Sequence, residues 1–253
     1  MFDSAKEKIV TFVLDGKDVS VPEGSTIWEA ANGQGLKIPH LCHKPEPGYR
    51  SDGNCRACMV EIEGERVLAA SCVRSVSEGM IVKSASERAK TARASVIELL
   101  LADQPQLAHD ASSHFWDMVE ATGVEESRFP SRDQSMIPLL DDSHVAMKVN
   151  LDSCIHCNLC VRACREVQVN DVIGMGGRGL SSQVIFDMAD AMGDSTCVGC
   201  GECVQACPTG ALMPATVLND EQVGDSKDYD LSLIHISEPT RRYAISYAVF
   251  CLK

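Results

Sequence analysis

The chain has 253 residues, a formal net charge of −13 and an aromatic content of only 5%. The acidic balance argues against nucleic-acid binding, because no basic stripe is present to neutralise phosphates. No apolar run approaches the roughly 20 residues of a membrane-spanning helix. Thirteen cysteines without a signal peptide favour a reducing cytoplasm over a disulfide framework.

The first part of the chain predicts a small β-rich domain. β-branched residues in the stretch 8–21 flank Asp15-Gly16, which is a strong hairpin signal. A short helix is predicted next, with Ser25 as its N-cap. A second hairpin and a further strand over residues 59–83 favour a β-grasp fold.

Four cysteines of this domain have the spacing Cys-x12-Cys-x2-Cys-x13-Cys. A plant-type [2Fe–2S] site has a short gap before its Cys-x2-Cys pair and a distant fourth ligand. The first gap is longer here, but Gly53 and Ala57 are small enough for a loop to approach a flat cluster. Zinc and purely structural thiols are the alternatives for this spacing. The predicted [2Fe–2S] ligands are Cys42, Cys55, Cys58 and Cys72.

A helical connector is predicted after the β-grasp domain. Ser84 and Glu87 form a capping-box pattern before a strongly helical stretch. The apolar side of this helix, which includes Ile97, is expected to pack on a neighbouring domain. Another helix is predicted over residues 112–122, and a polar linker follows it.

The clearest chemical signal is the spacing Cys-x2-Cys-x2-Cys-x3-Cys, which occurs twice. In bacterial two-cluster ferredoxins three close cysteines bind one cubane, and the fourth ligates the other cluster. Structural zinc, with four ligands usually in two Cys-x2-Cys pairs, does not account for two such runs. The first predicted [4Fe–4S] cluster has the ligands Cys154, Cys157, Cys160 and Cys207, and the second has Cys164, Cys197, Cys200 and Cys203.

The repeated run predicts a ferredoxin-like domain with short helices over residues 158–168 and 202–206. Glycines in the stretch 174–179 match the Gly-x-Gly-x-x-Gly pattern of dinucleotide sites. That pattern needs a following helix, whereas a strand is predicted here, so a turn is the better interpretation. His156 lies between two ligands and is either a donor to a cluster sulfur or an ordinary loop residue.

Three stretches of the N-terminal domain resemble one group of iron–sulfur subunits. They are Pro39-His40-Leu41-Cys42, residues 53–62 and Ala70-Ser71-Cys72. The resemblance is to the large iron–sulfur subunit of bacterial respiratory NADH dehydrogenase, the diaphorase part of NAD-reducing hydrogenases and the alpha subunit of NAD-dependent formate dehydrogenase. With the double-cubane region it covers residues 8 to about 217, and it implies electron transfer.

The connector departs from two of these groups. In the dehydrogenase and hydrogenase relatives a His-x3-Cys-x2-Cys-x5-Cys set binds another [4Fe–4S] cluster. The matching positions here are Gln104, Ala108, Ala111 and Asp117. We therefore expect no metal in residues 103–117, and we expect His109 and His114 to be surface or packing residues.

This absence makes formate dehydrogenase alpha subunits the best resemblance. It implies a C-terminal domain with a further [4Fe–4S] cluster and a molybdenum or tungsten pterin, where formate would be oxidised. It also implies a flavin- and NAD-binding partner subunit. The alternatives are a diaphorase subunit of a hydrogenase or NADH dehydrogenase, and a zinc-bound interaction module. No acid–base pair, nucleophile or flavin site is evident, so we expect no catalytic site in this chain itself.

The predicted fold class is α+β. Its parts are a [2Fe–2S] β-grasp domain over residues 6–83, a connector over 84–145, a double-[4Fe–4S] ferredoxin-like domain over 146–217, and a linker with a non-native tail over 218–253. The tail is predicted because residues 231–242 resemble a translated sequencing adapter, and Cys251 belongs to it.

Overall fold

The computed structural model describes residues 8–131 and 138–215 of the chain. The predicted linker and tail over residues 218–253, with the adapter-like stretch and Cys251, lie outside the described residues. Among the described residues, no helix combines the length and the apolar character needed to cross a membrane.

A five-stranded mixed sheet organises the N-terminal domain. Asp15 and Gly16 both have positive φ, as a tight turn between antiparallel strands requires. The sheet has the order β2-β1-β5-β3-β4, in which β5 is parallel to β1 and antiparallel to β3. The strands are β1 (Ile9–Leu14), β2 (Lys17–Pro22), β3 (Met59–Ile62), β4 (Ala69–Ala70) and β5 (Ile81–Lys83). With helix α1 (Ile27–Gly33), whose apolar residues join the core of the sheet, this is the expected β-grasp.

The N-cap of α1 is Thr26, so the prediction of Ser25 is wrong by one residue. The Thr26 hydroxyl accepts a hydrogen bond from the backbone N–H of Glu29 at 3.2 Å. The Glu29 carboxylate accepts one from the backbone N–H of Thr26 at 2.8 Å. Two adjacent hydroxyl residues offer equivalent caps in the sequence, and Glu29 selects the second by completing a capping box.

The capping box predicted from Ser84 and Glu87 is also wrong. The N-cap of α2 is Ser86, whose hydroxyl accepts from the backbone N–H of Ala89 at 3.2 Å. Ser84 instead donates its backbone N–H and its hydroxyl to the Asp15 carboxylate, at 2.7 and 2.5 Å. The first hairpin turn and the start of the connector are thereby joined.

The connector contains α2 (Glu87–Leu101) and α3 (His114–Thr122). Ile97 is fully buried, and it belongs to a small core with Phe115 and Leu41. The apolar side of α2 therefore packs as predicted, with residues of the cysteine-bearing part of the β-grasp domain.

The C-terminal domain has little regular structure. It consists of two antiparallel strand pairs, β6–β9 and β7–β8, and two short helices. The elements are β6 (Met147–Val149), α4 (Leu159–Arg162), β7 (Ile173–Gly176), β8 (Gln183–Phe186), α5 (Glu202–Ala206) and β9 (Leu212–Pro214). The chain continues from α4 in a π-helical turn, Ala163–Val167, which completes the helix predicted over residues 158–168. The glycine-rich stretch connects two antiparallel strands, as the turn interpretation predicted.

Candidate metal centres

The first four predicted ligands converge in the β-grasp domain. The backbone N–H of Cys42 lies 3.3 Å from the Sγ of Cys55, and the backbone N–H of Cys55 lies 3.5 Å from the Sγ of Cys42. The sulfur atoms of Cys58 and Cys72 are 3.4 Å apart. This distance is too long for a disulfide, whose sulfurs are about 2.05 Å apart. The four thiols therefore form one group, and all are free.

Contacts among these thiols shift their pKa values in opposite directions. Hydrogen bonds from Cys55 and Cys72 hold the pKa of Cys42 far below its usual value. The same contacts raise the pKa of Cys55 and Cys72. The four thiols thus share protons, so that one is ionised while its neighbours stay protonated. Because four thiolates this close together repel one another, all four can be ionised at once only around a positively charged centre.

Small and aromatic residues shape the surroundings of Cys42. Gly53 has a φ of +63°, and a Cβ atom there would lie 3.0 Å from a methyl group of Val73. The rings of His40 and His43 lie 4.9 and 4.4 Å from the Trp28 ring, between centroids. Burial lowers the pKa of His40 to about 4 and also lowers that of His43, so both imidazoles are neutral near pH 7. The rings of Trp28, His40 and His43 thus pack as one cluster, in which His43 directly follows Cys42 in the chain.

In the C-terminal domain the thiols group across the two runs. A small cavity is lined by three cysteines of the first run and by the last cysteine of the second. These are Cys154, Cys157, Cys160 and Cys207. The backbone N–H of His156 points at the Cys154 sulfur at 3.4 Å, so the main chain of His156 faces the thiol. The buried hydroxyl of Ser153 has no hydrogen-bond partner beside this cavity.

Cys164 lies near the three closely spaced cysteines of the second run. The negative charge of Cys164 raises the pKa of Cys197, Cys200 and Cys203, although burial is the larger cause for each. Backbone N–H groups approach two of these sulfurs, from Val172 to Cys164 at 3.3 Å and from Gly199 to Cys197 at 3.4 Å. Cys207 thus lines the cavity of the first run, and Cys164 lies near the thiols of the second run. Which cysteines ligate which cluster stays a prediction.

The donor chemistry fits iron–sulfur clusters. Burial raises the pKa of Cys157, Cys160 and Cys203, so these sulfurs ionise only when a cation compensates for the lost hydration. Within residues 8–131 and 138–215, no group of three or more His, Cys, Asp or Glu side chains is placed to bind a single metal ion. Twelve thiol donors, in three predicted sets of four, match the ligands that iron–sulfur clusters take.

The connector uses its polar residues for packing. The Gln104 side chain donates to the backbone carbonyl of Ser153 at 3.3 Å. The Nε2 atom of His109 lies 2.9 and 3.0 Å from the two carboxylate oxygens of Asp152. His114 donates from Nε2 to the carbonyl of His40 at 2.6 Å. These hydrogen bonds of the two histidines join the connector to both thiol-bearing domains. The absence of metal from residues 103–117 stays a prediction.

Sequence reasoning missed the contacts between the cysteine loop (residues 42–55) and the C-terminal domain. The Tyr49 hydroxyl donates to the buried Glu202 carboxylate at 2.7 Å. The Lys44 ammonium donates to the Gln205 carbonyl at 3.2 Å. The sequence signal for this interface is the long gap between Cys42 and Cys55, because the additional residues of that gap form the contacts.

Comparison with known proteins identifies two domain families in the chain. Residues 7–87 match the family described as a 2Fe-2S iron-sulfur cluster binding domain. Residues 153–211 match the family described as a 4Fe-4S dicluster domain. The two matches cover the regions in which the twelve described cysteines converge.

Curated relatives are much longer than the matching region. The NADP-reducing hydrogenase subunit HndD of Solidesulfovibrio fructosivorans is 36% identical over 212 residues, which are 81% of this chain and 36% of that protein. An NADH-quinone oxidoreductase subunit of Rhizobium meliloti is 34% identical over 213 residues, which are 81% of this chain and 24% of that protein. The chain spans 36% or less of the length of these two relatives.

A solved structure matches the fold over nearly its whole length. A chain of an NAD+-reducing [NiFe]-hydrogenase, solved in the H2-reduced state, is 30% identical with a TM-score of 0.75. The match covers 86% of this chain and 92% of that chain. The chain therefore belongs to a family of iron–sulfur electron-transfer proteins that joins a [2Fe–2S] domain to a [4Fe–4S] dicluster domain, with relatives among the subunits of hydrogenases and NADH-quinone oxidoreductases.

Proposed function

We propose that the chain holds one [2Fe–2S] and two [4Fe–4S] clusters and relays electrons between them. The ligands are Cys42, Cys55, Cys58 and Cys72 for the first, Cys154, Cys157, Cys160 and Cys207 for the second, and Cys164, Cys197, Cys200 and Cys203 for the third. The observation that carries this proposal is the crossed grouping of the last eight thiols, which is the ligation pattern of two-cluster ferredoxins.

Iron–sulfur clusters accept and release single electrons when bound. The protein contributes burial, thiolate ligands and hydrogen-bond donors, which together set the reduction potentials. Backbone N–H groups near Cys154, Cys164 and Cys197 supply such donors. The twelve described cysteines form no disulfide, which suits a reducing compartment, in which we place the protein.

For the parent enzyme we propose an NAD-dependent formate dehydrogenase, with this chain as the iron–sulfur region of its alpha subunit. The connector supports this assignment, because Gln104 and His109 are engaged in packing and no thiol is present in residues 103–117. The greater length of the curated relatives is compatible with a further molybdenum- or tungsten-pterin domain. A flavin- and NAD-binding subunit would be the electron partner.

A diaphorase-type subunit of a hydrogenase is the second candidate. One specific observation favours it, namely the 92% coverage of a chain from the NAD+-reducing [NiFe]-hydrogenase. The two candidates predict the same clusters and differ in what supplies the electrons.

Metal analysis tests the cluster proposal. After anaerobic reconstitution we expect about ten irons per chain, from three complete thiolate sets, and little zinc. The visible absorption should bleach with dithionite. A Cys251→Ser variant is the matched control, because Cys251 is not an assigned ligand and its loss should leave the iron content unchanged. Stoichiometric zinc without bleaching would instead establish the zinc-bound interaction module.

Electron-donor assays and gene sequence test the parent enzyme. The purified chain, once reduced, should pass electrons to dyes, but it should not reduce them with formate, because pterin chemistry requires a domain of its own. Formate-dependent dye reduction by this chain would overturn the assignment. The gene sequence beyond Asp230 should encode a pterin-binding domain, and a stop codon there would favour the hydrogenase candidate.

A further inference from the structure

Arg162 carries a permanent charge in one of the least exposed positions of the protein. Only 2% of its side chain is exposed, and it lies in α4 between Cys160 and Cys164. Burial of a guanidinium costs free energy unless its donors are satisfied and a counter-charge lies nearby. Its partners are therefore informative about its role.

The guanidinium joins two of the proposed cluster loops. Its Nη2 atom donates to the carbonyl of Cys42 at 2.7 Å and to the carbonyl of Cys157 at 3.3 Å. Its Nη1 atom donates to the carbonyl of Arg50, within the cysteine loop. One side chain thus connects a proposed [2Fe–2S] ligand with a proposed ligand of the first [4Fe–4S] cluster. Only arginine combines enough donors with a rigid fork to do this.

The counter-charge is Asp52, which belongs to the same cysteine loop. Its carboxylate lies 3.3 Å from the Nε atom of Arg162, and its side chain is 15% exposed. Arg50 also pairs with Asp52, but Arg50 is 63% exposed, so its charge is screened by solvent. The buried charge nearest to the Cys42 and Cys157 carbonyls is that of Arg162.

We propose that Arg162 is a positioning residue that fixes the [2Fe–2S] loop against the first [4Fe–4S] loop and raises the reduction potentials of both clusters together. The inference rests on the proposed ligand sets. Each one-electron reduction adds one negative charge near the Arg162 guanidinium. Because charges interact strongly where solvent is excluded, this cation should stabilise the reduced clusters and so raise their reduction potentials. Asp52 opposes this effect, so the two side chains should act on the potentials in opposite directions.

Redox titration of the reconstituted full chain, followed by electron paramagnetic resonance, tests the proposal. Arg162→Gln should lower the midpoint potentials of the [2Fe–2S] and the first [4Fe–4S] clusters, each by at least a tenfold change in the reduction equilibrium, about 59 mV for one electron. Arg162→Lys should restore most of each potential, because the charge remains. Both variants should weaken the magnetic interaction between these two clusters, because lysine lacks the fork. Asp52→Asn should raise both potentials.

Arg165→Gln is the matched control, because Arg165 is also next to α4 but is 56% exposed and pairs with Asp171. It should leave both potentials unchanged. Full iron content with unchanged potentials in Arg162→Gln would overturn the inference and leave the cluster assignment intact. If Arg162→Gln fails to retain iron, the Asp52→Asn variant is the test instead. Unchanged midpoint potentials in Asp52→Asn would also overturn the inference. Absence of iron from the wild-type chain would overturn the proposed function itself.

Discussion

The two thiol-bearing domains build their cores in different ways. The β-grasp core consists mainly of apolar side chains such as Phe12, Ile27 and Val82, and it also includes Cys58 and Cys72. In the C-terminal domain the core itself contains cysteines, among them Cys160 and Cys203, and the regular elements around them are short. We expect the sheet to support the first domain without metal, whereas the second domain has its proposed ligands within its own core.

This difference has an energetic consequence. Burial raises the pKa of Cys160 and Cys203, so without metal we expect these side chains to be neutral thiols. Metal-binding free energy becomes folding free energy when the site does not exist in the unfolded chain. The stability of the C-terminal domain should therefore depend on metal much more than that of the β-grasp domain.

The largest expected effect follows from removal of iron. Anaerobic chelation should unfold the C-terminal domain while the β-grasp sheet stays folded. Hydrogen exchange should show loss of protection in β6 to β9 and retained protection in β1 and β5. Simultaneous loss of protection in both domains would contradict the comparison, and so would continued protection of the iron-free C-terminal domain.

A single ligand replacement should remove one cluster. Cys164→Ala is expected to lose about four irons, from the cluster assigned to Cys197, Cys200 and Cys203, because Cys164 groups with those thiols. The matched variant Cys207→Ala should instead affect the other cubane. Resonance spectra of the reduced variants distinguish the two losses. Selective loss of the first-run cluster in Cys164→Ala would show that the ligation is not crossed.

A core truncation in the sheet should have a smaller and purely local effect. Phe12 is 1% exposed, so Phe12→Ala should cost about 3–5 kcal/mol of β-grasp stability. Ile9, on the same strand, is 55% exposed, and Ile9→Ala serves as the control with little change. Denaturant unfolding monitored by hydrogen exchange measures both. The iron content of the C-terminal domain should persist, and its loss would mean that the two cores are not energetically separate.

The smallest expected effect is in the connector. Replacing both His109 and His114 by alanine should leave iron content and the reduced-state resonance spectrum unchanged, because these residues contact Asp152 and the His40 carbonyl. A modest decrease in melting temperature is expected from the lost hydrogen bonds. Loss of about four irons in the double variant would reveal a cluster in residues 103–117.

Sequence reasoning succeeded where the signal is local. Asp15-Gly16 specifies its turn. The cysteine spacing predicted that Cys207 joins the first run, and Cys207 lines the same cavity as three cysteines of that run, while the ligand sets themselves stay predictions. It failed at Ser25 and Ser84, because the hydroxyl residues close to each of them can cap a helix equally well. Which of them becomes the N-cap depends on its partners, such as Glu29 for Thr26. Arg162 was missed because a charged residue between cysteines gives no local sign of burial. Its partners lie in the cysteine loop, 120 residues earlier in the case of Cys42.

The cysteine loop also limits how these domains can be exchanged between proteins. By sequence Cys42 belongs to the first domain, yet it packs within the core of the second, with Tyr49 and Cys55 beside it. If one of these domains were joined to the other domain of a different protein, the chain would still be continuous. Arg162 would then lose its contact with Cys42, and Glu202 would lose its contact with Tyr49. We therefore expect a fusion to keep these contacts only if it transfers the loop together with the surface that the loop packs on.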